Sequence, residues 1–248
     1  LTMKREVLDV FIPMIETMER IFADILAEEF EGAETRNMIA AAKKHFEKAE
    51  RSLPSVSPSS PWLKNLIGIA YEIGIWKELA GRGMSLNEIS IVNQRVLARL
   101  FRESIPSQEL EKIRDTLCSV SYTRGIAEDS RKSAYPDDWV FDYVAPGEGD
   151  DFQVGMDIHS CPVALLCKNL DAERFFPYFC LNDYVSHGML GISLVRTHTL
   201  AHGAPCCDFR LTSAGKPVAD IIEDPLQLPE FKNYPENDAS GGSSKKSF

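Results

Sequence analysis

The stretch from His159 to Phe209 carries four of the chain's five histidines and five of its six cysteines. Within it, Cys180, Asp183 and His187 stand at i, i+3 and i+7, which on one helix places all three on one face. A thiol, a carboxylate and an imidazole are the parts of an activated cysteine nucleophile. The thiolate attacks, the imidazole moves protons and the carboxylate orients the imidazole. The structural alternative is a buried Cys180, a local hydrogen bond from Asp183, and His187 placed where a helix C-terminus favours positive charge. Cys161 is a second candidate nucleophile. Pro162 after it marks a helix start, where free amides and the helix dipole lower a thiol pKa, and His159 lies just upstream to exchange a proton. Its alternative is a cap or core cysteine.

Two strands are expected to flank this chemistry. On 192–200, Arg196 and His198 share one face; on 206–211, Cys206, Asp208 and Arg210 share a face opposite Cys207 and Phe209. Arg196 or Arg210 could clamp a substrate carboxylate through two hydrogen bonds, or could simply pair with Asp208 to stabilise the sheet. The mixture of histidine and cysteine suits zinc, but paired ligand signatures are missing, and His198-x-x-x-His202 straddles a predicted strand end. No metal ligand is assigned and no cofactor is expected. Phosphate-binding glycine loops, the Gly-x-Ser-x-Gly elbow and His-Glu-x-x-His are also missing.

The elements that must position these groups follow from periodicity. Apolar residues at three- and four-residue spacing predict helices over 4–30, 34–52, 62–80, 85–104 and 108–132. Pro13 is a blemish in the first, Ser85-Leu-Asn-Glu88 has the capping-box form, and the Ser- and Pro-rich 52–61 reads as a linker or long loop. The apolar run 65–76 is too short to span a membrane and carries Glu72. Strands are expected over 138–144 and 152–158, joined by a Pro-Gly turn, and helices over 163–170 and 173–189. The fold class is therefore α+β: a helical N-terminal half over 1–132, then a mostly antiparallel sheet with packed helices over 133–228 that bears the pocket, then a polar tail over 229–248.

Composition narrows the partners. The 248 residues are 44% hydrophobic and 26% charged, with a formal net charge of -10. This is a globular composition without the basic face that nucleic acid or an anionic membrane requires. The unevenly spread cysteines do not form a disulfide pattern and the N-terminus shows no secretory pattern, so reduced thiols and a cytoplasmic location are expected. A small-molecule substrate is the expected partner, and the apolar helices of the first half admit a homodimer.

One set of motifs adds to this. Asp138-Trp139 before an acidic turn, Cys161-Pro162, Pro177-Tyr-Phe-Cys180-x-x-Asp183, Arg196-Thr-x-Thr199-Leu-Ala-x-Gly203 and Cys207-Asp-Phe-Arg210 stand in an order that resembles the L-2-amino-thiazoline-4-carboxylate hydrolase family over residues 135–212. The resemblance implies hydrolytic opening of a small heterocycle at an amidine-like carbon. The matching positions are Cys161, Cys180, Asp183, Thr199, Gly203, Cys207 and Asp208. The expected assignment is Cys161 or Cys180 as nucleophile, Asp183 as orienting group or water activator, and His187 as base from spacing alone. Arg196, Thr199, Cys207 and Asp208 are expected at the substrate. Three other readings stay open: a lyase, cyclase or isomerase on the same scaffold, a small-molecule-binding module without catalysis, and a zinc-stabilised domain.

Overall fold

Seven helices in the first half follow from apolar spacing and from where it is interrupted. The computed structural model describes residues 5–213 and 221–232. The expected first helix is two: α1 (Arg5–Asp9) and α2 (Ile12–Leu26). Pro13 sits in the first turn of α2, where a missing N–H costs nothing. Then come α3 (Gly32–Ala49), α4 (Leu63–Gly81) and α5 (Leu86–Ser104). The capping box forms as expected: Glu88 N donates to Ser85 Oγ, and Ser85 N donates to Glu88 Oε2 at 2.8 Å. The helix expected over 108–132 divides into α6 (Ser107–Leu117) and α7 (Val120–Ser130), with Ser119 capping the second. Helix α4 is buried on all sides from Leu66 to Trp76, so it is the axis of this half.

Among the described residues the sheet has four strands, β1 (Val140–Val144), β2 (Val154–Ser160), β3 (Ser193–Val195) and β4 (Cys207–Thr212), in the order β1-β2-β4-β3 with every pairing antiparallel. Between β2 and β3 run α8 (Pro162–Asn169), a 3₁₀ turn at Glu173–Phe175, α9 (Phe176–Phe179) and α10 (Asn182–Met189). The helical N-terminal half and antiparallel C-terminal sheet are the α+β class expected. Register places Phe141 opposite Ile158 and Ile158 opposite Cys207, so these three buried residues form one row across the inner face.

The two halves share one core. The Trp76 ring of α4 packs 5.3 Å from Phe175 and 4.8 Å from Phe179, centroid to centroid. Of the two readings of 52–61, linker or long loop, the second holds, and the loop is a packed strap. Leu53, Pro54, Ser55 and Val56 are buried. Ser55 N donates to Asp137 Oδ2 at 2.7 Å and Ser57 N donates to Asp138 Oδ2 at 3.2 Å, which ties the strap to the edge of the sheet. The composition-based tail also begins too early. Pro229–Lys232 is a helical turn, α11, with Glu230 and Phe231 buried; residues 233–248 lie outside the described part.

Candidate active site

The expected helix over 173–189 breaks at Cys180–Leu181, so Cys180, Asp183 and His187 do not share one continuous helix. Cys180 ends α9, while Asp183 and His187 lie on α10. Asp183 N still donates to Cys180 O at 3.3 Å, which keeps the first two adjacent.

What gathers the site is Arg196, just past the end of β3 and 1% exposed. Its Nη1 donates to Asp183 Oδ2 at 2.8 Å. One Nη2 hydrogen bond goes to Cys180 O and another to Glu230 Oε1, each at 3.0 Å, and Nε donates to the same Glu230 oxygen at 3.2 Å. The guanidinium also lies over the Tyr184 and Phe209 rings, 5.2 and 5.0 Å from their centroids. A guanidinium has five N–H donors, so the protein leaves one to spare. The expected free clamp for a substrate carboxylate is thus already engaged in an internal bridge. Two carboxylates share this one cation.

Cys161 and Cys180 lie close enough to Cys207 and Asp183 for their charges to act on one another. Burial is the largest influence on all three thiols. It pushes Cys161 up to about 12 although the Val163 and Ala164 amides at the start of α8 oppose it, and Cys207 up to about 11. Cys180 is raised as well, with the Arg196 charge as the main opposing pull. The lowered pKa expected of Cys161 at a helix start is therefore not found: two amides do not offset the burial of the sulfur. The Leu200 amide donates to Cys207 Sγ at 3.1 Å.

Burial lowers the pKa of His187, against the pull of Asp183, so the ring is neutral near pH 7. Its Nδ1 lies 2.6 Å from Asp183 O. A carbonyl only accepts, so Nδ1 carries the proton and Nε2 keeps its lone pair. Asp183 thus orients His187 through its backbone, and its carboxylate goes to Arg196. Tyr184 and Glu230 are members the sequence reading missed: the Tyr184 hydroxyl donates to Glu230 Oε1 at 2.7 Å. Polar composition hid Glu230; the signal was Pro229 opening a helical turn between the apolar residues Leu228 and Phe231.

Other expected members lie apart. His198 is exposed rather than on Arg196's side, because the alternation of β3 ends before Thr197. Asp208 accepts from Thr197 N, Thr197 Oγ1 and His198 N at 2.6–2.9 Å, so it pins a turn. Thr199 is fully buried and bonds His202 Nδ1 at 2.8 Å. His159 pairs with Asp142 at the surface, and Arg210 pairs with Asp157 at 2.9 Å rather than with Asp208. Among the described residues no group of three His, Cys, Asp or Glu side chains is placed to hold a metal, and no helix is long and apolar enough to cross a membrane.

Helices packed on a small antiparallel sheet, with partly and fully buried thiols, carboxylates and one guanidinium between them, define an α+β protein. Residues 94–211 match the family model of L-2-amino-thiazoline-4-carboxylic acid hydrolase. The family resemblance is therefore shown over that segment, which reaches back into α5 beyond the motifs. It contains Cys161, Cys180, Asp183, His187, Arg196 and Cys207, but not Glu230. The match supports a hydrolase-like function. No curated protein and no solved structure matches the chain.

Proposed function

We propose that the chain is a hydrolase that opens a C–N bond of a small cyclic amidine of the thiazoline type, with Cys180 as nucleophile and His187 as proton carrier. The observation that carries this is the Arg196 guanidinium, which binds the Asp183 carboxylate and the Cys180 carbonyl within the family-matched segment and Glu230 beyond it. Arg196 is the cation nearest in effect to Cys180, so it favours the thiolate there as the reaction begins. The cluster's excess of carboxylate suits an amidinium ring. The Cys180 sulfur adds to the amidinium carbon, and its proton passes through His187 Nε2 to the ring nitrogen, which leaves as an amine. Water then adds to the same carbon and expels the Cys180 thiol, giving an open-chain carbamoyl-type product. The second water proton passes to the freed amine.

A second reading rests on the raised thiol pKa values. With protonated thiols at rest, neutral His187 activates water directly and no covalent intermediate forms. The test of both is ring opening of 2-amino-thiazoline-4-carboxylate by Cys161→Ser, Cys180→Ser and Asp183→Asn. Loss of more than about 100-fold in turnover at Cys180 supports the first reading. Full turnover in Cys180→Ser with loss in His187→Asn supports the second. Full turnover in every variant overturns the site.

A further inference from the structure

A cleft of about 340 Å³ opens between the strap, α7 and the start of β1, and no thiol lines it. One wall is aromatic. The Trp62 ring packs 5.5 Å from Trp139 and 5.0 Å from Phe141, centroid to centroid, with Trp62 partly open to solvent. Two carboxylates line the cleft, Asp129 exposed at its mouth and Asp138 buried in its wall, and no Lys, Arg or His side chain lines it. Aromatic faces are negative at their centres, so wall and rim select the same sign of guest.

The cleft is held open by its own hydrogen bonds. Asp138 is 6% exposed and fixes three neighbours: Ser57 N at 3.2 Å, the Ser133 hydroxyl at 2.9 Å and Trp139 N at 3.0 Å. Asp138 thereby fixes the shape of the recess and adds negative charge to its wall. On the other side, Ser130 Oγ donates to Ala127 O at 2.8 Å and accepts from Phe141 N at 3.3 Å, which locks α7 to β1. A preformed recess of this size lies at the small end of the range for ligand sites and fits a single ring. Trp62 and the strap lie outside the family-matched segment, while Asp129 to Phe141 lie within it.

We propose that this cleft is a binding site for a small planar organic cation of the amidinium class, its flat face on Trp62 and its N–H groups directed at Asp129 and Asp138. The site stands apart from the thiol cluster and does not depend on the hydrolase reading. Phe141 and Cys207 share one sheet face but are separated by the strand that carries Ile158, so a guest at one does not fill the other.

The test is calorimetry on the full chain with benzamidinium and with its neutral counterpart benzamide, together with tryptophan fluorescence. Trp62 and Trp139 line the cleft, whereas Trp76 is fully buried in the core, so a guest here alters emission. Expected are saturable binding of benzamidinium, binding of benzamide weaker by about fivefold or more, and a similar loss in Asp129→Asn. Asp129 is exposed and that change leaves the fold alone. Trp62→Leu gives a second reading of the wall, and its circular dichroism checks that it folds. Cys180→Ser leaves the affinity unchanged. Equal binding of benzamide, no saturable binding, indifference to Asp129→Asn, or loss of binding in Cys180→Ser would each overturn the proposal.

Discussion

Arg196 shows how a single residue can be legible in type and misread in role. Its strand-like neighbourhood and its charge were visible in the sequence; the identity of its partners was not, because Glu230 comes from a segment of polar composition far along the chain. A buried guanidinium that satisfies Asp183, Glu230 and a carbonyl is costly to remove, since its loss leaves Glu230 at 0% side-chain exposure without a counter-charge. Arg196→Met is expected to lower unfolding free energy by about 3–5 kcal/mol in urea titrations. A change below 1 kcal/mol, on the order of an exposed ion pair, would mean that the bridge carries little stability. The thiols supply a second test. Because burial raises Cys161, Cys180 and Cys207, their thiolate fractions at pH 7 are small. Iodoacetamide at pH 7 is expected to label the more open Cys206 first, with the other three slower by about tenfold or more in peptide mapping. Rapid labelling of Cys180 at pH 7 would show that the sulfur is already activated at rest.

At the scale of elements, the sequence was most informative where one local signal decided the outcome. The capping box at Ser85, the helical stripe of α2 and the turn between β1 and β2 each rest on residues within one or two turns of chain. Elements set by tertiary contact were misread. The helix over 108–132 splits at Cys118 without Gly or Pro to mark it, and the strap at 52–61 is ordered by Asp137 and Asp138 some eighty residues away. The crossing of α3 and α4 belongs to the second kind. A Cβ on Gly74 would lie 2.8 Å from Ala42 Cα and 3.0 Å from Ala42 O, both backbone atoms that cannot swing aside. Gly74→Ala therefore forces the two helices apart, although alanine is the better helix former. It is expected to cost about 1–3 kcal/mol in chemical denaturation. A stabilised variant would mean that the helices can shift at no cost.

At the scale of the whole molecule, the junction between the halves holds a carboxylate in an apolar setting. Glu72 on α4 is 5% exposed and accepts from Asn93 of α5 at 3.1 Å and from Asn182 of α10 at 3.4 Å. In the sequence it was only a polar interruption of an apolar run; packing makes it the meeting point of helices from both halves. Burial, against the two amide hydrogen bonds, raises its pKa to about 7 from the usual 4.5. The folded protein thus binds this proton more tightly than the unfolded chain does. For a raised acid, the stabilising contribution is full below about pH 4.5, falls as pH rises, and is gone above about 7. The difference amounts to about 3 kcal/mol at most, at 1.36 kcal/mol for each tenfold change in proton affinity. Glu72→Gln keeps an acceptor for the amides and has no proton to lose. The variant is therefore expected to gain on the parent protein as pH rises from 4.5 to 8, by up to about 3 kcal/mol in urea titrations, with the two closest at the acid end. A gap between them that stays constant across that interval would show that Glu72 does not take up its proton on folding, and that the junction tolerates a buried charge through contacts other than Asn93 and Asn182.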